Sequence, residues 1–130
     1  MKKSPLLNAA LSQVIASLGH GDMLVIGDAG LPVPHGVPVI DLALTRGIPG
    51  FMDTLRIVLG EMEVESHVLA DETLATSPAF AAGLSVFDLP LRSTMNHDAF
   101  KHLSKTARAV VRTGECTPYA NIILVAGVAF

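Results

Sequence analysis

Apolar residues in this chain switch between helical spacing and short continuous runs, and each switch marks an element. Leu7, Leu11, Val14, Ile15 and Leu18 recur at helical spacing around Asn8, a good N-cap, and Gly19 stands where a C′ glycine would end the helix. Met23 to Ile26 is continuously apolar, the pattern of a buried strand, and residues 23–27 are expected to form one. A Pro-rich loop to Pro38 follows, and residues 39–44 predict a second strand. Arg46-Gly47-Ile48-Pro49 reads as a turn. Pro49 or Gly50 then opens a helix whose apolar side carries Phe51, Leu55, Val58, Leu59 and Met62. Residues 64–70 predict a third strand. Ser77-Pro78, a cap followed by a first-turn proline, opens a helix to about residue 87. A short strand at 89–92, a helix at 97–105 capped by Asn96, a strand at 109–112 and, past Gly114, a terminal strand at 122–128 complete the chain. Strands alternating with helices predict an α/β sandwich with a mostly parallel sheet flanked by helices. With no repeat, low-complexity tract or linker, residues 1–130 are expected to form a single domain.

Composition adds an expectation of assembly. Apolar residues make up 50% of the chain and charged residues 16%, and the mean hydropathy is +0.50. Such a chain buries apolar surface either between subunits or in a membrane. No uninterrupted apolar run approaches the roughly 18–20 residues of a spanning helix, so an oligomer is the better expectation. The C-terminal IILVAGVAF should be mostly buried, partly against another subunit. A net charge of −3 without a basic run argues against a nucleic-acid partner. Lys2 and Lys3 before an apolar stretch resemble a signal peptide, but Asn8, Ser12 and Gln13 interrupt that stretch. With a single cysteine, Cys116, no internal disulfide can form, and a cytoplasmic protein is expected.

The candidate chemistry sits around His20-Gly21-Asp22 and the loop that leaves the first strand. His20, between a helix end and a strand, is either a general acid/base or a loop histidine bonded to its neighbours. Asp28 either accepts a sugar hydroxyl, orients His20, or caps the next turn. Asp22 reads as a turn residue. His97 and Lys101, four apart on a capped helix, share a face that either binds an oxygen-rich ligand or is merely solvated; His102 and Lys105 read as solvated. In Glu115-Cys116-Thr117-Pro118-Tyr119-Ala120-Asn121, strand alternation would point Tyr119 and Asn121 the same way. A phenol and an amide so placed suit a polyhydroxyl ligand, or else pack and turn. No metal site is expected: the five histidines, His20, His35, His67, His97 and His102, show no ligand spacing and Cys116 has no CxxC partner. Gly19-His20-Gly21 precedes its strand, so it is not a dinucleotide fingerprint.

HGDMLVIGDAGLPVP and RTGECTPYANIILVAGVAF together resemble the D-ribose pyranase family, relatives of the fucose mutarotases. Leu7-Asn8, Ile40-Asp41-Leu42, Gly47-Ile48-Pro49 and His97-Asp98-Ala99-Phe100-Lys101 extend the resemblance; residues 71–96 lie outside it. The resemblance implies an enzyme that interconverts the pyranose and furanose rings of free D-ribose without a cofactor. It implies that His20 is the catalytic acid/base and that Asp28, His97, Lys101, Tyr119 and Asn121 bind the sugar. It further implies a decamer of two pentameric rings with each site shared between neighbouring subunits. The chemistry is compatible, since ring opening needs only proton exchange and positioning, with no metal or covalent nucleophile. The alternatives are a mutarotase for another sugar, such as L-fucose, and a non-catalytic sugar-binding subunit on the same fold.

Overall fold

The computed structural model describes all 130 residues. In chain order the elements are α1 (Ala9–Ser17), β1 (Met23–Gly27), β2 (Val39–Asp41), α2 (Phe51–Leu59), β3 (Val64–Ala70), α3 (Asp71–Thr76), α4 (Pro78–Gly83) with a following 3-10 turn (Leu84–Val86), β4 (Arg92–Met95), α5 (His97–Ser104), β5 (Ala109–Arg112) and β6 (Ile122–Ala126). The strands form one sheet in the order β2-β5-β1-β6-β3-β4. β2, β5 and β1 pair in parallel, as do β3 and β4, and β6 lies antiparallel between β1 and β3. Five strands therefore share a direction, as the alternation of strands and helices predicts, while β6 runs the other way. Periodicity carries no sign of that reversal, because a strand buried on both faces reads the same in either direction.

Alternation along the central strands divides the core between the two faces. Leu24 and Ile26 of β1, Ile122 and Leu124 of β6 and Leu69 of β3 face Leu11, Phe51, Leu55, Val58 and Phe80 from α1, α2 and α4. Val25, Ile123, Val68 and Val110 face Phe100 of α5 on the other side. Helices on both faces explain why β1 and β6 are uninterrupted apolar runs.

Local chemistry explains the boundaries. Asn8 caps α1, its Oδ1 accepting the Leu11 N–H at 2.8 Å. Gly19 does not supply a left-handed stop: Leu18 leaves the helix already extended, and the positive φ comes at Gly21. Leu6, not Leu7, occupies the buried position before this helix. β2 stops at Asp41, whose carboxylate accepts the Ala43 N–H and pairs with Arg112, ending the ladder early. Residues 71–76 form a helix that the pattern gave no hint of, too short to show a period. Ser77 does not cap α4 with its side chain; its hydroxyl is spent elsewhere. β4 starts at Arg92, after Pro90 and a left-handed Leu91, rather than at 89. Residues 122–124 are buried within the chain, but Val128, Ala129 and Phe130 are exposed in the isolated chain. No helix is long and apolar enough to cross a membrane.

Gly114 sits where the loop from β5 passes under the Thr45–Ile48 turn. A Cβ there would lie 2.5 Å from the Thr45 carbonyl oxygen and 2.6 Å from that of Ile48. Both obstacles are backbone, so nothing flexible can yield. Gly114→Ala should cost more than about 2 kcal/mol of stability, read as a lowered denaturant midpoint with an unchanged slope.

Candidate functional site

The reversal of β6 gives the sheet two chemically different ends. At one, the carboxyl ends of β1, β3 and β4 meet the start of β6. At the other, the start of β1 and β3 meets the end of β6.

The first end gathers Asp28, His97, Tyr119 and Asn121. Asn121, 1% exposed, uses its Oδ1 to accept the Asp28 N–H at 2.8 Å. That bond fixes which way the amide faces, and its Nδ2 is buried with no partner. A buried donor without an acceptor costs free energy, and a ligand oxygen would remove that cost. Gly27 keeps the space open: a Cβ there would meet Leu31 at 2.6 Å and Asn121 Oδ1 at 3.2 Å. His97 opens α5, its N–H donating to both oxygens of Glu72 at 3.0 Å. Its ring meets Tyr119 edge-on with centroids 5.0 Å apart, and its Nδ1 is also buried and unpartnered. Two orphaned polar atoms beside an aromatic ring suit a small polyhydroxyl ligand.

Tyr119 and Asn121 are not paired by strand alternation. β6 begins at Ile122, and Tyr119 is a left-handed residue with φ 59°. A tight turn does the work instead, with the Asn121 N–H donating to the Tyr119 carbonyl at 2.9 Å. Asp28 caps the Gly30 N–H with Oδ1 at 2.9 Å, so it is a turn carboxylate with its second oxygen free. Lys101 is on α5 with His97, but its Nζ pairs with Asp98 at 3.3 Å.

His20 lies at the other end. β1 alone, five residues long, separates it from Asp28 by roughly 16 Å. One copy of the chain therefore does not bring His20 to the Asn121 group. Its Nε2–H donates to Glu65 Oε2 at 2.7 Å. A carboxylate only accepts, so this bond assigns the proton to Nε2 and leaves Nδ1 as the nitrogen open to a ligand. Glu65 is the extra residue of a β-bulge, since pairing slips between Val64 and Ser66, and a bulge re-aims the side chain it inserts. Gly127 leaves room beside it, for a Cβ there would lie 3.2 Å from that of Glu65. A cavity of about 330 Å³ lined by His20, Leu18, Glu61, Glu63, Gly127 and Phe130 opens beside this pair. Asp22 is a turn residue, accepting the Gly19 N–H and pairing with Arg108.

Glu65 and Glu72 escape a reading of the sequence. A bulge leaves no trace in hydrophobic alternation, and Glu72 lies in the short α3. No group of three or more His, Cys, Asp or Glu side chains converges as metal ligands do.

The model of the RbsD / FucU transport protein family matches residues 1–129. Over its whole length the chain is 65% identical to the whole of a D-ribose pyranase from Pseudomonas fluorescens strain SBW25, and 58% identical to the whole of one from Pseudomonas putida strain KT2440. RbsD of Bacillus subtilis, solved in complex with D-ribose, superposes with a TM-score of 0.95 at 48% identity, each chain fully covered. The fucose mutarotase of Streptococcus pneumoniae, solved with L-fucose, superposes with a TM-score of 0.76 at 27% identity, again with both chains fully covered.

Glu115 braces the loops of the first end. Its Oε1 accepts the Phe51 N–H and its Oε2 the Thr117 hydroxyl, each at 3.0 Å, while its carbonyl accepts the Ala29 N–H at 2.8 Å. Burial alone would raise its pKa, but donors from Phe51, Thr117 and Cys116 outweigh burial and hold it below the ordinary 4.5. A carboxyl lowered in the folded state stabilises above its unfolded pKa and loses that contribution as pH falls through the folded value. Glu115→Gln should therefore unfold at lower denaturant than the parent at neutral pH. The gap should close below pH 4.5. Chemical denaturation across pH measures this, and a gap constant down to about pH 3 would assign the loss to geometry rather than charge.

Proposed function

The chain belongs to the RbsD / FucU transport protein family, and from that premise we propose that it is a D-ribose pyranase, an isomerase interconverting the pyranose and furanose forms of free D-ribose. The observation that carries this reading is end-to-end identity with D-ribose pyranases at up to 65%. A mutarotase for L-fucose is the weaker reading, because identity to the fucose enzyme falls to 27% against 48% for the ribose-bound structure.

The reaction moves protons only. The anomeric hydroxyl gives up a proton and the ring oxygen gains one as the bond from C1 to that oxygen breaks. The open-chain aldehyde is then attacked by the C4 hydroxyl instead of the C5 hydroxyl, with both proton transfers reversed. His20 Nδ1 is the group we assign to this exchange, and Glu65 holds the opposite nitrogen so that Nδ1 presents either its lone pair or its proton. Asn121 Nδ2, His97 Nδ1, the Tyr119 hydroxyl and the free oxygen of Asp28 hold sugar hydroxyls, with Lys101 at the rim of the same helix. Acid/base help of roughly 10²–10⁴-fold is enough for a ring opening that already proceeds in water.

The two ends of the sheet must come from different copies for this chemistry to work. We assign the site to a junction where the His20 end of one subunit meets the Asn121 end of the next, in an assembly of two pentameric rings. The apolar tail Val128-Ala129-Phe130, exposed beside His20, supports such a contact. The lone, unpaired Cys116 is compatible with the cytoplasm, where we place the protein.

NMR exchange spectroscopy on free D-ribose tests the activity, and an exchange rate equal to that of buffer would exclude it. His20→Ala should keep its fold and sugar binding and slow exchange by about 10²-fold or more; a parent-like rate in a saturated, folded variant would remove His20 from the chemistry. Subunit mixing tests the shared site. Asn121→Ala should be impaired on its own, and when it is unfolded and refolded together with His20→Ala, about a quarter of the junctions should pair two intact halves, as random assortment at a head-to-tail contact requires. Activity that stays at the level of the separate variants would place both groups in one subunit.

A further inference from the structure

Three side chains from the short segment after β3 hold the backbone of the sugar-binding end, each bonded to a main-chain atom and none to the orphaned atoms. Glu72 receives the His97 N–H on both carboxylate oxygens at 3.0 Å. Thr73, 0% exposed, donates its hydroxyl to the Tyr119 carbonyl at 2.7 Å. Ser77, 7% exposed, donates its hydroxyl to the Pro118 carbonyl at 2.6 Å. All three come from α3 and its C-cap, which follow directly on the end of β3.

Tyr119 needs such an anchor. With a Cβ and a φ of 59°, it holds a conformation that persists only where the surroundings impose it. Its carbonyl accepts two donors, the Asn121 N–H and the Thr73 hydroxyl. One hydroxyl therefore fixes the peptide between the phenol and the amide. The Glu72 contact sets where the His97 ring starts. We propose that α3 and Ser77 are a positioning platform: Thr73 and Ser77 fix the turn that aims Tyr119 and Asn121 at the sugar, and Glu72 fixes His97 beside them. The inference deepens the ribose pyranase reading and rests on it for the identity of the ligand.

The chain has one tyrosine and no tryptophan, so tyrosine fluorescence reports Tyr119 alone, with or without ligand. Thr73→Val keeps the shape and removes the hydroxyl. Its fluorescence anisotropy should fall, its KM for D-ribose should rise about tenfold, the scale of one misplaced hydrogen bond, and kcat should change less than KM, because the His20 end is untouched. Thr73→Ser should restore both readouts, and Thr73→Val should raise KM by less than its full factor in an Asn121→Ala background, because only the Tyr119 share of the turn's contacts is left to lose. Ser77→Ala carries the same test through Pro118 if Thr73→Val fails to fold. Parent-like anisotropy, or lowered anisotropy with an unchanged KM, overturns the platform. If the parent exchanges no ribose, the function proposed above fails separately, and anisotropy alone decides whether α3 holds the turn.

Discussion

Strand β6 pairs with β1 through four residue pairs and with β3 along its other edge, running against both. It is the only link between the β2-β5-β1 and β3-β4 halves of the sheet. Its direction also sorts the chemistry. Because it enters where its neighbours end, Tyr119 and Asn121 are delivered to the carboxyl ends of β1 and β3, beside Asp28 and Glu72. Because it ends where they begin, Ala126 and Gly127 lie against the His20 turn and the Glu65 bulge, with the Gly21 N–H donating to the Ala126 carbonyl at 2.8 Å. A parallel β6 would have carried the Tyr119 turn to the wrong end of the sheet. Ile122, Ile123 and Leu124 are fully buried, so the apolar burial that fixes this strand also fixes the site.

Much of this was legible in the residues. Met23–Gly27 and Ala109–Arg112 run where the apolar pattern predicts them, because strands covered on both faces leave little choice of residue, and Val64–Ala70 also holds its predicted bounds. Asn8 and Asn96 cap the helices expected of them, since a side-chain oxygen meeting a free N–H is a local event. What depends on tertiary contact was not legible. Ser77 read as an ordinary cap residue and Thr73 carried no signal at all, yet their hydroxyls close on carbonyls more than forty positions away. Tyr119 and Asn121 were singled out as a pair by strand alternation, which is not the geometry that joins them. A left-handed turn brings them together, and tyrosine is not a residue type that announces one.

The two ends of the sheet also differ in what holds them. At the first, backbone is pinned by buried hydroxyls, carboxylates and one amide, and two polar atoms are left over for a ligand. At the second, His20 and Glu65 are both partly open to solvent and meet across a bulge. Rigid binding groups and an open proton carrier are what ring exchange asks for. The sugar must be held through an open-chain intermediate that rotates, while the histidine must trade protons with two different oxygens. Glu65 suits that division because it constrains only one ring nitrogen.

A site that needs unlike ends of two copies imposes a symmetry. Two identical patches meeting face to face make an isologous dimer, and that arrangement would bring His20 to His20. Joining the His20 end of one copy to the Asn121 end of another is a head-to-tail contact, which repeats until it closes into a ring or extends without limit. On the proposed reading every junction of a closed ring carries a complete site, whereas an open chain would leave an incomplete one at each tip. The composition agrees with such a contact. Half of the chain is apolar, and Phe130 is exposed beside His20. Burying that tail against a neighbour would withdraw apolar surface from water and bring the neighbour's sugar-binding turn within reach of Nδ1, so one contact would serve assembly and catalysis together.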